Sequence, residues 1–329
     1  MKKILFLLLF FLFIDVNASI VVMDASSGRV LYNKNMNDRK LIASTTKIMT
    51  SLIAIENSNL NKIIEVGNEI KGVDGSMIYL KVGDKITLND LLYGLMLRSG
   101  NDAAMVVATH TLGYDEFVRK MNYKAIVLGM NNTSFENPHG LNYDTKNYST
   151  AYDLAVLMRY AIKNDTFLKI SGTKKYKDWY NKNKLLTDYK YAISGKIGYT
   201  KESGPVFVSC AKKDGKTLIV VSINEGDKFN LHKRLYEEYF DKYKLYKVLD
   251  KNSFSFKVKN SSSDHYYLVN DYYMLLTEKE KSILKIDINL NDYFNYVTIK
   301  LNDRNIHNEK LYKLSYKDRL NSIKAMLSF

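Results

Sequence analysis

Cysteine occurs once, at Cys210, so the chain can close no disulfide on itself and can build no cysteine-based zinc cluster. Proline occurs twice and glycine sixteen times in 329 residues, too few for collagen-like or proline-rich designs. The five histidines, at 110, 139, 232, 265 and 307, include no pair at metal-ligand spacing. Neither a G-x-G-x-x-G nor a P-loop occurs, so nothing supports a phosphate-cradling site. Apolar residues make up 46%, enough for a sizeable core and too many for a mainly disordered chain. The length suits one large domain or two unequal ones.

The formal charge is +14, which points to an anionic partner: nucleic acid, a membrane surface or an acidic polymer. The first residues choose among these. Lys2 and Lys3 form a charged start, residues 4–14 are unbroken apolar, and Val16-Asn17-Ala18 offers a small-residue cleavage site. This reads as a secretory signal peptide over residues 1–18, cut after Ala18. The apolar run is too short to span a bilayer. An exported basic protein meets wall polymers and anionic lipid first, which argues against nucleic acid.

Residues 19–24 and 30–32 read as a hairpin around Ala25-Ser26-Ser27-Gly28. Helices are predicted over residues 44–56, from Thr87 with Leu88, Leu91, Leu92 and Leu95 as its buried stripe, from Asp115 to Gly129, and over 150–163. Asp90 stands three residues after Thr87, as in a capping box. Residues 206–211 and 218–223 are β-rich and joined across Lys213-Asp214-Gly215, a hairpin signal. Residues 193–199 read as a neighbouring strand and 231–243 as helix. The order predicts an α+β domain over residues 19–248, an antiparallel sheet with helices packed on it. Residues 249–329 read as a small β-rich C-terminal domain, with strands near 254–258, 266–269 and 297–301. Residues 318–329 have a helical pattern that reads equally as a packed terminus or as an anchor on an anionic membrane surface.

Three short motifs stand out: Ser44-Thr45-Thr46-Lys47 (S-x-x-K), Ser99-Gly100-Asn101 (S-x-N) and Lys196-Ile197-Gly198 (K-x-G). The chain also carries decoys: an S-x-x-K at Ser171, an S-x-N at Ser222, and a K-x-G at Lys81 and at Lys213. Context favours the first set. Ser44 and Lys47 share one face at a helix start. A serine hydroxyl needs a base beside it, and a lysine serves if burial or a second cation lowers its pKa. Lys196 is the candidate second cation, on a strand whose edge suits an extended peptide. The helix N-terminus offers free N–H groups for an oxyanion. Ser171 lies in a polar, Lys-rich stretch without such support.

The chain resembles the serine-type D-Ala-D-Ala carboxypeptidases of peptidase family S11, the low-molecular-mass penicillin-binding proteins. The carriers run from about Ile20 to Tyr243: residues 43–50 around the S-x-x-K, 99–104 around the S-x-N, Asn137-Pro138-His139-Gly140-Leu141, 149–154, Asn183-Lys184-Leu185-Leu186, and 195–200 around the K-x-G. The resemblance implies a penicillin-binding, β-lactamase-like transpeptidase fold. It also implies a hydrolase that trims D-alanine from peptidoglycan stem peptides, binds β-lactam antibiotics, works outside the cytoplasmic membrane, and uses no metal or organic cofactor. Ser44 would be the nucleophile and Lys47 its base. Ser99 would relay the proton, Asn101 would hold the substrate backbone, and Lys196 would supply charge. Gly198, Tyr199 and Thr200 would line the peptide, with the N–H groups of Ser44 and Tyr199 as the oxyanion hole.

The chain departs from the family at Ile197, where K-T-G supplies a threonine hydroxyl to the substrate carboxylate, and at Ile42, where a proline is usual. Lys228 stands near the position of a helpful arginine, keeping its charge but not its bidentate fork. Two other readings follow: a catalytically impaired penicillin-binding protein, and a class A β-lactamase. The latter is disfavoured by Gly100 at the centre of the second motif and by the absence of a deacylating Glu loop, Glu136 being the nearest candidate. His139 and Cys210 are read as structural. The 26 tyrosines are read as a composition habit.

Overall fold

The computed structural model describes residues 18–257, 265–290 and 295–314. Residues 1–17 and the 318–329 segment lie outside them. No described helix is long and apolar enough to cross a membrane.

Five antiparallel strands form the central sheet: β1 (Ser19–Asp24), β2 (Val30–Lys34), β3 (Ala192–Thr200), β4 (Gly204–Lys213) and β5 (Lys216–Ile223), in the order β2-β1-β5-β4-β3. All six residues of β1 are buried, which explains why it reads as a continuous apolar run and not an alternating one. The β4–β5 hairpin turns on Asp214 and Gly215, with φ of 50° and 76°. Two consecutive positive φ values are what a tight primed turn needs. Side chains alternate across the sheet. Val21, Met23, Val208 and Val221 face a helical cluster, while Ile20, Val22, Phe207 and Val220 face a second core on the opposite side.

The helical cluster contains α1 (Lys47–Asn57), α2 (Leu88–Tyr93), α3 (Asn101–Thr111), α4 (Tyr114–Val127), α5 (Ala151–Ala161) and α6 (Asp165–Gly172). The α-helix starts at Lys47 and not at residue 44: Ser44 sits in a 3-10 turn, Ala43–Thr46, entered through Ala43 at φ 45°. Thr87 and Thr150 cap α2 and α5, each hydroxyl accepting from the backbone N–H three residues on at 3.0 Å. Leu88, Leu91, Leu92 and Leu95 are all buried. Ser171, read as part of a polar stretch, is instead buried at the end of α6, within 2.6 Å of the Ser194 hydroxyl. Its S-x-x-K is a helix end, not a site.

On the other face, α7 (Lys228–Lys242) packs against the sheet. Strand β6 (Lys244–Leu249) then pairs with β9 (Tyr272–Leu276). Around it lie two three-stranded sheets: β7 (Ser255–Lys257), β8 (His265–Tyr267) and β13 (Tyr312–Leu314) in one, and β10 (Leu284–Asn289), β11 (Tyr296–Leu301) and β12 (Arg304–Lys310) in the other. This region is β-rich. The turn after β1 ties it down: the buried Asp24 carboxylate accepts from Leu275 N–H at 3.0 Å, and Arg29 pairs with Glu280.

His232 of α7 is fully buried, with Nδ1 2.7 Å from the Ser209 hydroxyl and Nε2 2.9 Å from that of Ser222. Burial, aided by the Lys228 ammonium, holds its pKa well below the ordinary histidine range. The unfolded imidazole takes a proton near pH 6.5, whereas the folded one does not. Stability is therefore fully present above about pH 6.5 and declines below it, because the unfolded state binds the extra proton. We expect the thermal midpoint to fall between pH 6.5 and pH 5, more steeply in the native chain than in His232→Asn. Equal slopes in calorimetry would show that His232 is not responsible.

Candidate active site

Three chain segments converge on the end of α1. The first is the 3-10 turn, which presents Ser44 beside Lys47. Lys47 is completely buried, and its Nζ lies 3.0 Å from Ser44 Oγ. It also donates to Asn101 Oδ1 at 2.7 Å and to the His139 carbonyl at 2.6 Å. A neutral amine has two N–H groups and one lone pair. With Asn101 and His139 accepting both N–H groups, the lone pair remains for the Ser44 hydroxyl.

The second segment is the 137–141 loop. Thr50 Oγ1 donates to the Pro138 carbonyl at 2.6 Å, and Asn147 Nδ2 donates to Thr46 Oγ1 at 3.0 Å and to the Asn137 carbonyl at 2.9 Å. These bonds clamp the loop to α1. Gly140, at φ +89°, lies so close that an added Cβ would stand 1.9 Å from the Ala43 carbonyl. Only glycine fits there. The His139 ring accepts from Leu141 N–H at Nδ1, 3.0 Å away. Burial first, and then Lys47, lowers its pKa to about 3. It is a neutral structural histidine whose backbone, not its ring, reaches the site.

The third segment carries Ser99 and Asn101. A π-helical turn, Gly94–Arg98, follows α2 and ends in Ser99 at φ 65°. This left-handed position is costly for a non-glycine residue, and it breaks the chain between α2 and α3. Asn101 Nδ2 donates to the Asp74 carbonyl at 2.7 Å, which fixes Oδ1 toward Lys47. Asp102 accepts from Ile78 N–H and Leu80 N–H, each at 3.1 Å, so the loop before α2 is pinned to α3.

Strand β3 closes the cleft. Lys196 Nζ donates to Ser99 Oγ at 3.0 Å and to the Ile197 carbonyl at 2.8 Å. An added Cβ on Gly198 would stand 2.9 Å from Ser44 N, so this glycine lets the strand press against the serine backbone. Tyr199 is exposed and lines the cleft beside Ser44. Thr200 Oγ1 is tied to Ser203 Oγ at 3.0 Å in the turn after β3. Ile197 is half-buried, its side chain in contact with the core that includes Phe229. Lys228 begins α7, its ammonium 5.0 Å from the Phe229 ring centroid, and it is not among the residues lining the cleft beside Ser44. Glu136 is exposed, its carboxylate accepting from Lys146 N–H at 2.6 Å, away from the serine.

The two buried lysines shape the electrostatics. Burial, then Lys196, then Lys182, pushes Lys47 well below its ordinary range, against a smaller opposing pull from Asp102. Burial and then Lys182 lower Lys196 to about 7. Chemically, this is a serine beside an amine whose affinity for a proton is lowered, with a second serine on a second lysine. Such a pair of serines can form an acyl-enzyme and hand a proton to a leaving group.

Sequence reasoning missed Lys182 and Arg98. Both line the cleft of about 400 Å³ beside Ser44, and Lys182 Nζ donates to Ser76 Oγ at 3.0 Å. The available signal was slight: Lys182 immediately precedes the Asn183-Lys184-Leu185-Leu186 segment but belongs to none of the three motifs. Asp102 lies within the 99–104 segment around the S-x-N, whereas Asp74 acts through its backbone carbonyl from 27 residues away and carried no signal.

Comparison with known proteins identifies the family. The D-alanyl-D-alanine carboxypeptidase DacF of Bacillus subtilis is 37% identical over 220 residues, 62% of this chain and 56% of that protein. The match thus spans little more than half of that relative's length. A D-alanyl-D-alanine carboxypeptidase of Streptomyces sp. K15 is 35% identical over 224 residues, 60% of this chain and 77% of that one. The crystal structure of the D-alanyl-D-alanine carboxypeptidase DacD from Francisella tularensis superposes with a TM-score of 0.72 at 25% identity, covering 90% of this chain and 92% of that chain. Penicillin binding protein 5 from Haemophilus influenzae, at 24% identity, shares the fold with a TM-score of 0.79, covering 90% of this chain and 96% of that one. Residues 14–227 match the profile of the peptidase S11 family, described as D-alanyl-D-alanine carboxypeptidase, and the chain belongs to that family.

Proposed function

We propose that this protein is a serine D,D-carboxypeptidase that removes the terminal D-alanine from peptidoglycan stem peptides. The observation that carries the reading is the fully buried Lys47 amine, 3.0 Å from Ser44 Oγ and with its N–H groups accepted elsewhere. Ser44 Oγ attacks the carbonyl of the penultimate D-alanine while its proton passes to Lys47. The oxyanion is held by the backbone N–H groups of Ser44 and Tyr199. When the tetrahedral intermediate collapses, the C–N bond breaks and Ser99, held by Lys196, relays the proton: it gives its own to the departing amine and takes up the one that Lys47 received from Ser44. Water then attacks the ester and releases the shortened peptide. Lys196 supplies positive charge to the substrate carboxylate, which in turn raises the lysine's own pKa on binding. The Lys2-Lys3 start and the apolar run after it support export, and the basic balance supports work beside anionic wall polymers.

Two measurements test the reading. D-alanine release from a pentapeptide ending in D-Ala-D-Ala tests the activity directly. Penicillin mimics that terminus, so intact mass should show one adduct, lost in Ser44→Ala; an adduct that survives the substitution would remove Ser44 from the nucleophile's role. The second-order acylation rate reports groups of the free enzyme. It should fall above about pH 7 as Lys196 loses its proton, and this alkaline limb should vanish in Lys196→Arg, which stays charged.

Ile197 bears on the rate. A carboxylate leaving water needs hydrogen bonds as well as charge, and this side chain offers none. A hydrogen bond to a charged group contributes about 1.5–3 kcal/mol, or roughly ten- to hundredfold if it forms mainly in the transition state. We expect a slow but real enzyme in which Ile197→Thr raises both D-alanine release and penicillin acylation. Unchanged rates would mean that another group, with Lys182 already in the cleft, holds the carboxylate.

A further inference from the structure

Two cations in the cleft beside Ser44 meet no anion. Lys182 and Arg98 both line it, together with Ser76, and none of the three belongs to the S-x-x-K, S-x-N or K-x-G motifs. Lys182 and Arg98 are half-buried, and among the described residues no carboxylate pairs with either. No carboxylate lines this cleft at all. A charge drawn partly out of water without a partner is left uncompensated. Burial and then Arg98 lower the proton affinity of Lys182, so the two side chains act on each other as like charges.

The backbone puts them side by side. Arg98 ends the π-helical turn, and Lys182 N–H donates to the carbonyl of Leu97, one residue earlier, at 3.1 Å. This bond fixes the Lys182 segment to the turn that leads into Ser99. Lys182 Nζ then donates to Ser76 Oγ at 3.0 Å, which ties the ammonium to the loop before α2. The carboxylate closest to Arg98 in sequence, Asp102, is already engaged by the N–H groups of Ile78, Leu80 and Ala103.

The donors left over suit one class of ligand. An ammonium has three N–H groups, and Lys182 spends one on Ser76. The Ser76 hydroxyl accepts that bond and keeps its own proton to give. The Arg98 guanidinium carries a planar fork of donors that matches two oxygens of a carboxylate or a phosphate.

We propose that Lys182, Arg98 and Ser76 form an anion-binding site for a carboxylate or phosphate group. It lies at the Ser99 end of the cleft, since Arg98 adjoins Ser99 and the Lys182 charge is felt at Lys196. The occupant is either the carboxylate of the leaving D-alanine or a free phosphate. The first source rests on the carboxypeptidase reading; the second does not.

Binding can be read without turnover in the Ser44→Ala chain. Inorganic phosphate is the first probe in calorimetry, with sodium chloride at matched ionic strength controlling for screening. Phosphate should bind, and Lys182→Met should weaken it about tenfold, as expected for losing a hydrogen bond to a charged group. Lys182→Arg keeps the charge and should keep most of the affinity. Arg98→Met should repeat the weakening from a different segment, so that one misfolded variant cannot account for the result. The second probe is a pentapeptide ending in D-Ala-D-Ala, compared with its C-terminal carboxamide. If the leaving residue's carboxylate fills the site, Lys182→Met weakens the acid peptide about tenfold and leaves the amide as it was. If only free phosphate fills it, the acid-to-amide ratio does not move while phosphate binding still falls. Phosphate affinity and acid-to-amide ratio that are both the same with and without Lys182 and Arg98 would overturn the site. So would absent phosphate binding together with an acid peptide bound no better than its amide. D-alanine release by the chain with Ser44 intact tests the carboxypeptidase reading separately: a chain that releases none yet binds phosphate through Lys182 keeps the site and loses that reading.

Discussion

Taking a lysine ammonium out of water costs several kcal/mol, and this fold does so twice in one cleft. Lys47 and Lys196 are both buried; burial leads the loss of proton affinity in each, Lys196 and Lys182 add to it at Lys47, and Lys182 adds to it at Lys196. Much of the surrounding architecture answers this constraint. The 137–141 loop is clamped to α1 so that the His139 carbonyl can meet Lys47. Asn101 is turned by Asp74 so that its oxygen, and not its nitrogen, faces the amine. Hydrogen bonds of this kind compensate the desolvated amines without requiring them to be charged.

The backbone departs from regular geometry where the side chains must converge. Ala43 enters the 3-10 turn at positive φ, Ser99 ends the π-turn at positive φ, and Gly140 sits at positive φ against the Ala43 carbonyl. A straight helix through residue 44, or through residue 99, would aim the serines along the helix face and away from one another. These kinks are stabilised by their neighbours: α1 by Thr46 and Thr50, the S-x-N turn by Asp102 and by β3.

Regular elements were legible where burial was one-sided. α2 and α5 showed apolar stripes and threonine caps, and the Lys213-Asp214-Gly215 turn announced its hairpin. α3 was not legible, because Asn101–Ala104 and Val106–Ala108 are all buried and a helix buried on most sides has no stripe. α6 was hidden for a different reason: its polar letters masked Ser171, which points into the core and bonds to Ser194. The residues of the three motifs could be singled out because a nucleophile, a base and a second cation are chemically scarce combinations. Lys182 could not, since one more lysine among 49 basic residues carries no pattern.

The sequence by itself determined the side chains of the three motifs and the elements buried on one side, such as α2, α5 and the β4–β5 hairpin, because both depend on local composition and short spacing. It also determined the family, through the order of its motifs. The tertiary structure adds the physical reason why the two S-x-x-K copies differ. Ser171 and Ser44 are alike as strings, but one is sealed against β3 and the other opens beside a buried amine. It alone decided the protonation of the lysines, since a pKa is set by burial and by charges from distant segments. It alone joined Asn142 to Glu202, 60 residues away, across the groove beside Ser44. Contacts between residues so far apart in the chain arise from the packing of the sheet against its helices, and no short-range pattern encodes them.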